Sequence, residues 1–143
     1  MTDRGYVPSD GQLLTPYICC REALKALDWY AEVLGARLVS EPIVDPDGRL
    51  GHAAIEIDGA QVFVSDGYPE VHVAAAGPGE DARFTLHLYV PDADATVTAA
   101  ERAGATVQRP VELQFYGARM GVIVDPFGVR WMIGTHAGSG QDT

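Results

Sequence analysis

Three side chains stand out as possible catalytic or metal-binding groups, and each falls on a predicted strand. His52 and Glu56 lie four residues apart on one strand, and His87 lies in the middle of another. Two imidazoles and a carboxylate form a ligand set that divalent transition metals accept. Four residues of extended chain span about 13 Å, too far for His52 and Glu56 to ligate one ion directly. A metal site made of these three is therefore disfavoured, and Glu56 as a general base would need burial to raise its pKa.

A second group of side chains could bind a small molecule without a metal. Tyr17, Tyr89 and Tyr116 are candidates for stacking on a ligand ring, because tyrosine offers a large apolar face and a polar tip. Met120 and Met132 could add an adaptable apolar wall, although ordinary packing explains them equally well.

Arg119 and the two cysteines are weaker candidates for a chemical role. Arg119 lies between Gly117 and Gly121, where its guanidinium could clamp a ligand anion or form a salt bridge within the fold. Cys19 and Cys20 are adjacent in sequence, so they are not expected to bridge each other. We expect no nucleophilic thiol, and unpaired cysteines favour a reducing, cytoplasmic location.

Composition and charge limit the partners of the chain. Its 143 residues are 47% hydrophobic and 21% charged, as in an ordinary single folded domain. The net charge of −10 disfavours nucleic acid and anionic membrane surfaces, and it suits a cationic small molecule or simple solubility. No apolar run is long enough to span a membrane, and no dinucleotide loop, Walker motif or Gly-x-Ser-x-Gly elbow occurs. We therefore expect a small-molecule ligand, no cofactor, no nucleic acid and no membrane partner.

Hydrophobic periodicity divides the chain into two units with the same order of elements, βαβββ. One domain is predicted at 12–136, with modules at 13–66 and 84–135 and flexible tails at 1–11 and 137–143. The predicted strands of the first module are 13–19, 37–45, 50–57 and 60–65, with a helix at 22–34; those of the second are 84–90, 105–113, 116–125 and 129–135, with a helix at 92–103.

Strand parity separates a helix-facing side from a concave side, because alternate residues of a strand point to opposite faces. Aliphatic faces should pack on the helices, together with Trp29 and Trp131. The remaining residues should line a cavity of mixed aromatic, aliphatic and polar character, as small-molecule sites commonly are. On the strands where parity was applied, this concave set includes Thr15, Tyr17, Cys19, His52, Ala54, Glu56, Thr85, His87, Tyr89, Arg130 and Met132.

Several segments resemble one known family. Residues 26–36 (ALDWYAEVLGA) are similar to the first helix of the vicinal oxygen chelate superfamily, also called the glyoxalase/bleomycin-resistance/dioxygenase superfamily. Residues 47–53, 88–94 and 116–131 resemble its PhnB-like branch, and the last of these (YGARMGVIVDPFGVRW) is the most specific. The resemblance covers about residues 13–136. It implies an α+β fold in which two βαβββ modules form an incomplete barrel around a ligand cavity.

The resemblance also implies where a metal would lie and how the chains would associate. Metal-using members place ligands at positions that correspond here to Thr15, Val64, Thr85 and Met132, and none of these is a histidine or a carboxylate. We therefore expect no metal at these positions. Many members complete the barrel or its cavity across a dimer, so a homodimer is expected.

The leading functional hypothesis is a metal-free protein that sequesters a hydrophobic, aromatic or cationic compound such as an antibiotic. The alternative is a lyase or isomerase that acts on a small oxygenated metabolite, with a displaced metal or with polar groups alone. A structural or regulatory dimer with a vestigial cavity is a third interpretation. The expected ligand-binding residues are Thr15, Tyr17, His52, Glu56, Val64, Thr85, His87, Tyr89, Tyr116, Arg119, Met120 and Met132.

Overall fold

The computed structural model describes residues 5–136, so the predicted tail at 137–143 and the first four residues lie outside the described residues. Within 5–136, two helices and two sheets form an α+β fold. The first module contains β1 (Tyr17–Cys19), α1 (Ala23–Leu34), β2 (Arg37–Leu38), β3 (Ile43–Val44), β4 (Leu50–Ile57) and β5 (Ala60–Ser65). A short 3-10 turn (Pro69–Val71) follows. The second module contains β6 (Leu86–Tyr89), α2 (Ala93–Arg102), β7 (Thr106–Leu113), β8 (Arg119–Val124) and β9 (Arg130–Thr135).

The two sheets repeat one topology, which confirms the predicted pair of βαβββ modules. The first sheet has the strand order β1-β5-β4-β2, with β3 also on β4, and the second has the order β6-β9-β8-β7. In the first sheet β1 runs parallel to β5, and in the second β6 runs parallel to β9. The other paired strands are antiparallel. No strand pairing between the two sheets occurs among residues 5–136.

One shared hydrophobic core joins the modules through their helices. The helix α1 buries Ala23, Ala26, Leu27 and Tyr30, at the three- and four-residue spacing of an amphipathic helix. It ends at Gly35, whose φ of 70° is the left-handed conformation that glycine adopts without strain. The helix-facing residues of both sheets enter the same core, among them Ile18, Val64, Trp131 and Ile133.

A buried carboxylate, Asp125, links the modules at the centre of this core. Its side chain is 2% exposed and accepts four hydrogen bonds. Oδ1 receives the backbone N–H groups of Phe127 and Val129 at 2.9 and 3.0 Å. Oδ2 receives the Tyr30 hydroxyl at 2.6 Å and the Trp131 indole N–H at 2.9 Å. The carboxylate therefore fixes the turn before β9 and ties it to α1 of the other module.

Two predicted strands are shorter or broken for identifiable reasons. The strand predicted at 13–19 begins only at Tyr17, because Pro16 has no N–H to donate to a ladder. Before it, the side-chain amide of Gln12 pairs with both backbone groups of Gln61, at 3.0 and 2.8 Å, in place of a strand residue. The strand predicted at 37–45 is interrupted near Pro42 and forms the separate strands β2 and β3.

Candidate functional site

The hydrogen bonds that follow β1 and β6 align the two modules residue by residue. The Cys20 N–H bonds to the Ser65 carbonyl at 2.9 Å, and the Val90 N–H bonds to the Gly134 carbonyl at 2.8 Å. These bonds make Cys20 equivalent to Val90 and Ser65 equivalent to Gly134. Counting back along the strands from these residues, the ladder pair Tyr17–Phe63 of the first module corresponds to the pair His87–Met132 of the second. By the same count, His52 corresponds to Met120.

The side of the first sheet that faces away from the helices, which is called its concave side below, carries an aromatic cluster of Tyr17, His52 and Phe63. The ring centroids lie 5.5 Å apart for Tyr17–His52, 5.5 Å for Tyr17–Phe63 and 4.8 Å for His52–Phe63, all edge-to-face. Tyr17 is 54% exposed although it contacts both partners. Edge-to-face packing of this kind holds the rings in place and leaves ring faces available for a ligand.

Hydrogen bonds of the Tyr17 hydroxyl define the tautomer of His52. The hydroxyl lies 3.1 Å from the Gly51 carbonyl oxygen and 3.0 Å from Nδ1 of His52. A hydroxyl has one proton and a carbonyl only accepts, so both bonds coexist when Tyr17 donates to Gly51 and Nδ1–H of His52 donates to Tyr17. In the neutral ring, Nε2 then carries the lone pair and can accept a hydrogen bond from a ligand.

Desolvation keeps the nearby hydroxyl and thiol protonated. Partial burial raises the pKa of the Tyr17 phenol, so at neutral pH it acts as a hydrogen-bond donor and not as a phenolate. Burial and the negative charge of Asp66 raise the pKa of the Cys19 thiol. Burial also raises the pKa of Cys20 to about 12. Neither cysteine has the lowered pKa that a nucleophilic thiol requires.

Three cavities have Tyr17 as a common wall residue. The first, of about 580 Å³, lies between the aromatic cluster and the N-terminal segment, where Thr15, Tyr6 and Pro8 complete the wall. The second, of about 550 Å³, is mostly apolar and extends toward Tyr68 in the connector between the modules (residues 67–83). The third, of about 460 Å³, lies between the connector and the start of β9. The described part of the predicted tail at 1–11 thus contributes to a cavity wall.

The concave side of the second sheet has a different character. The rings of His87 and Tyr89 lie 4.5 Å apart between centroids, and His87 packs over Gly134, where a Cβ would lie 3.4 Å from its Cε1 atom. The Thr85 hydroxyl bonds to Nη1 of Arg130 at 2.6 Å. Met132 is half-buried on the same face. No ring contact joins this group to the aromatic cluster among the residues described.

Two expected site residues do not lie on a concave face. Val64 is fully buried in the helix-facing core, because it alternates with Phe63 along β5. Phe63 holds the concave position, and strand parity could have identified it, since Val62 and Val64 form the aliphatic face. Arg119 forms a bidentate ion pair with Asp94 of α2, at 2.7 and 3.0 Å, so it is a structural salt bridge within the fold.

The remaining expected residues are used in other ways. Glu56 forms an ion pair with Arg37 at 2.6 Å. Tyr116 is exposed at the β7–β8 hairpin, and its hydroxyl contacts the sulfur of the buried Met120 at 3.5 Å. Neither Glu56 nor Tyr116 is grouped with the aromatic cluster.

The residues present do not fit the metal that some members of the family resembled by the sequence use. His52 and Glu56 bond to other side chains, and His87 lies on the other sheet, so the displaced site considered from the sequence is not formed. Among residues 5–136, no three His, Cys, Asp or Glu side chains are grouped to hold one ion. Thr85 contacts a guanidinium, which is a poor neighbour for a divalent cation.

Comparisons with known proteins agree with this fold. The family model of the Glyoxalase/Bleomycin resistance protein/Dioxygenase superfamily matches residues 12–133. A relative in Mycobacterium bovis, "Uncharacterized protein Mb0911c", is 36% identical over 125 residues, which are 85% of this chain and 81% of that protein.

Neither helix within residues 5–136 has the length and apolar composition of a membrane span.

Two solved structures show the same fold at lower identity. A PhnB protein from Bacillus cereus has a TM-score of 0.66 at 17% identity, over 88% of this chain and 100% of that one. The fosfomycin resistance protein FosX from Mesorhizobium loti has a TM-score of 0.63 at 14% identity, over 92% of this chain and 98% of that one. The family match and the 36% identical relative show that the chain belongs to the glyoxalase/bleomycin resistance protein/dioxygenase superfamily.

Proposed function

We propose that the protein binds and sequesters a small aromatic compound, such as an antibiotic, on the concave face of its first sheet and without a metal. The observation that carries this proposal is the aromatic cluster of Tyr17, His52 and Phe63 beside a cavity of about 580 Å³. The volume suits a drug-sized ligand, and the cluster combines ring faces with one oriented imidazole. The resistance protein FosX shares the fold, which supports an antibiotic as one ligand to test.

Of the ligand types that the sequence suggests, the aromatic one has the best support. A cationic ligand has less support, because Glu56 is paired with Arg37 and Asp10, which also lines the cavity, is solvent-exposed. The net charge of −10 is then a matter of solubility. The PhnB-like branch is part of this proposal and is supported by the PhnB structure from Bacillus cereus.

The test is a thermal-shift screen of antibiotics and aromatic metabolites, followed by calorimetric titration of any compound that raises the melting temperature. Tyr17→Ala and Phe63→Ala should each weaken binding of that compound at least several-fold, because an aromatic pair contributes about 0.5–1.5 kcal/mol beyond its buried area, a factor of about 2 to 13 in affinity. Tyr116→Ala is the matched control, because Tyr116 is 57% exposed against 54% for Tyr17.

His87→Ala separates the two concave faces. It should leave the affinity unchanged if the ligand lies on the first sheet. Equal binding by the parent, Tyr17→Ala and Phe63→Ala would overturn the proposed site. Loss of binding in His87→Ala alone would place the ligand on the second sheet.

A lyase or isomerase reaction is the second candidate, and the Tyr17–His52 hydrogen bond favours it. With Nδ1 held by Tyr17, Nε2 of His52 is the free basic atom of the ring and could accept a proton from a substrate. Mass spectrometry of the bound compound after prolonged incubation distinguishes the two functions. An unchanged compound supports sequestration, and a modified compound supports the enzyme.

We also propose that the protein is a cytoplasmic homodimer. Exposed apolar side chains along the strand edges of both sheets support an association of chains, because such patches commonly mark interfaces. Both cysteines are free, which suits a reducing compartment. The exposed apolar side chains on these strands include Leu38, Ile43, Val44 and Leu113, and Phe115 lies in the adjoining β7–β8 hairpin.

A further inference from the structure

Arg130 is a half-buried cation that no carboxylate neutralises within residues 5–136. The ion pairs in this part of the chain use four other basic residues, and none of them includes Arg130. Its Nε donates to the Gln108 side-chain oxygen at 2.8 Å, and its Nη1 donates to the Thr85 hydroxyl at 2.6 Å. Arg130 is therefore held by two neutral side-chain oxygens, whereas the neutral partners of Arg21 are backbone carbonyls.

This arrangement orients the guanidinium and leaves donors for a ligand. A guanidinium has five N–H groups, and the bonds to Gln108 and Thr85 use two of them. Both partners are neutral, so they fix the plane of the group without compensating its charge. A planar guanidinium with neighbouring N–H groups free is the usual partner of a carboxylate, phosphate or sulfonate, which it binds through two parallel hydrogen bonds.

Arg130 lines the cavity of about 460 Å³ together with Tyr17 and Phe84, so aromatic rings and a cation border the same space. Phe84 is 53% exposed. The connector forms the other wall and is held to the core by Arg21, which donates to the carbonyl oxygen of Pro126 at 3.2 Å and to that of Ala76.

The acidic residues of the connector do not cancel the charge of Arg130. Glu80 and Asp81 line the same cavity, but neither lies within ion-pair distance of this guanidinium. The Glu80 carboxylate accepts a hydrogen bond from the backbone N–H of Gly77. Arg83 is a second arginine on the wall, so the cavity is not acidic although the chain is.

We propose that Arg130 binds an oxyanion group of the ligand, with the ligand's ring against Tyr17 and Phe84. This inference rests on the proposed function and adds the charge of the compound: an aromatic ring that carries a carboxylate, phosphate or sulfonate. It also extends the binding region from the first sheet to the start of β9. Thr85 and Gln108 are positioning residues in this scheme, because they act on the ligand only through the guanidinium.

A matched pair of fluorescent probes tests the charge. The anion 1-anilinonaphthalene-8-sulfonate and the neutral N-phenyl-1-naphthylamine share the same rings and differ by the sulfonate. The parent protein should bind both. Arg130→Gln should weaken binding of the sulfonate tenfold or more and change binding of the neutral probe less than twofold, because a hydrogen bond to a charged group is stronger than a neutral one.

Two further variants separate the local effect from net charge and from misfolding. Arg109→Gln removes an equal charge from an exposed residue of β7 and should leave the binding of both probes unchanged. Arg130→Lys keeps the charge but loses the planar pair of donors, so its sulfonate affinity should lie between those of the parent and Arg130→Gln. Competition by 1-naphthoate but not by 1-naphthamide in the parent protein gives the same test without any substitution.

The outcomes distinguish this inference from the proposed function. If the parent binds the neutral probe and Arg130→Gln binds both probes like the parent, the anion site is refuted and the aromatic site stands. If 1-naphthamide competes as well as 1-naphthoate, the anion site is refuted again. If the parent binds neither probe, the aromatic site is refuted and the anion site with it.

Discussion

Replacing Asp125 with asparagine should destabilise the protein by about 2–4 kcal/mol, because four buried donors converge on its carboxylate. The amide has one acceptor oxygen in place of two. With that oxygen toward the backbone N–H groups, the NH₂ group faces Tyr30 and Trp131. The tyrosine hydroxyl can rotate and accept, but an indole N–H cannot accept, so it is left buried and unpaired.

The magnitude follows from these contacts. An unpaired buried donor costs about 1–3 kcal/mol, and hydrogen bonds to a carboxylate are roughly twice as strong as those to an amide. The amide avoids the desolvation of a buried charge, which offsets part of the loss. The net figure is a large share of the 5–15 kcal/mol that stabilises a typical domain. Urea-induced unfolding of the parent and Asp125→Asn measures it directly.

Two controls show whether the network is responsible. Asp94→Asn removes an aspartate whose ion pair with Arg119 is solvent-exposed, and it should shift the unfolding midpoint little. Tyr30→Phe removes one of the four donors, and in a double-mutant cycle it should couple to Asp125→Asn by at least 0.5 kcal/mol, as contacting residues do. A loss below about 1 kcal/mol for Asp125→Asn, or additive effects in the cycle, would refute the reasoning.

Three other predictions concern pH, metal and mass. The Arg49 guanidinium lowers the pKa of Glu70 from 4.5 to about 2. This ion pair therefore stabilises the fold above pH 4.5, and its contribution is lost as the pH falls toward 2. In Glu70→Gln, the urea midpoint should depend less on pH between 4.5 and 2 than it does in the parent protein. Adding EDTA should leave the melting temperature unchanged, since Thr85 and Met132 are poor ligands for a divalent ion; a drop would show a bound metal. Light scattering should give twice the 15.3 kDa of one chain, and a mass of 15.3 kDa at micromolar concentration would exclude the homodimer.

The sequence predicts the scaffold well where local signals and burial agree. The bounds of β4 and β5 match the prediction, because tight turns at 45–48 and 58–59 delimit them. Parity places Tyr17 and His52 on the concave side for a physical reason, since Ile18 and Ala53, which follow them along their strands, are apolar and enter the core.

The sequence predicts the site less well, because its features depend on register and packing. Alignment to the family places Val64 one residue away from the concave position of Phe63, and parity along β5 would have corrected it. Parity also places Arg119 with Ile123 on the helix-facing side of β8. The lack of a carboxylate beside Arg130 is different. Its partners are Thr85, which precedes β6, and Gln108 of β7, and no local sequence pattern predicts that these residues meet.

The proposed site further predicts that one chain supplies both Tyr17 and Arg130 to it. The two modules carry different residues at equivalent positions: Gln61 of the first module aligns with Arg130 of the second. Tyr17 and Arg130 nevertheless line one cavity of a single chain. A heterodimer of Tyr17→Ala and Arg130→Gln chains, isolated with two affinity tags, should therefore bind the sulfonate probe as weakly as either variant alone. If each site instead took Tyr17 from one chain and Arg130 from its partner, one of the two sites would contain both native residues. Half of the parent's tight-binding stoichiometry would then return, and that result would show that the site spans the interface between chains.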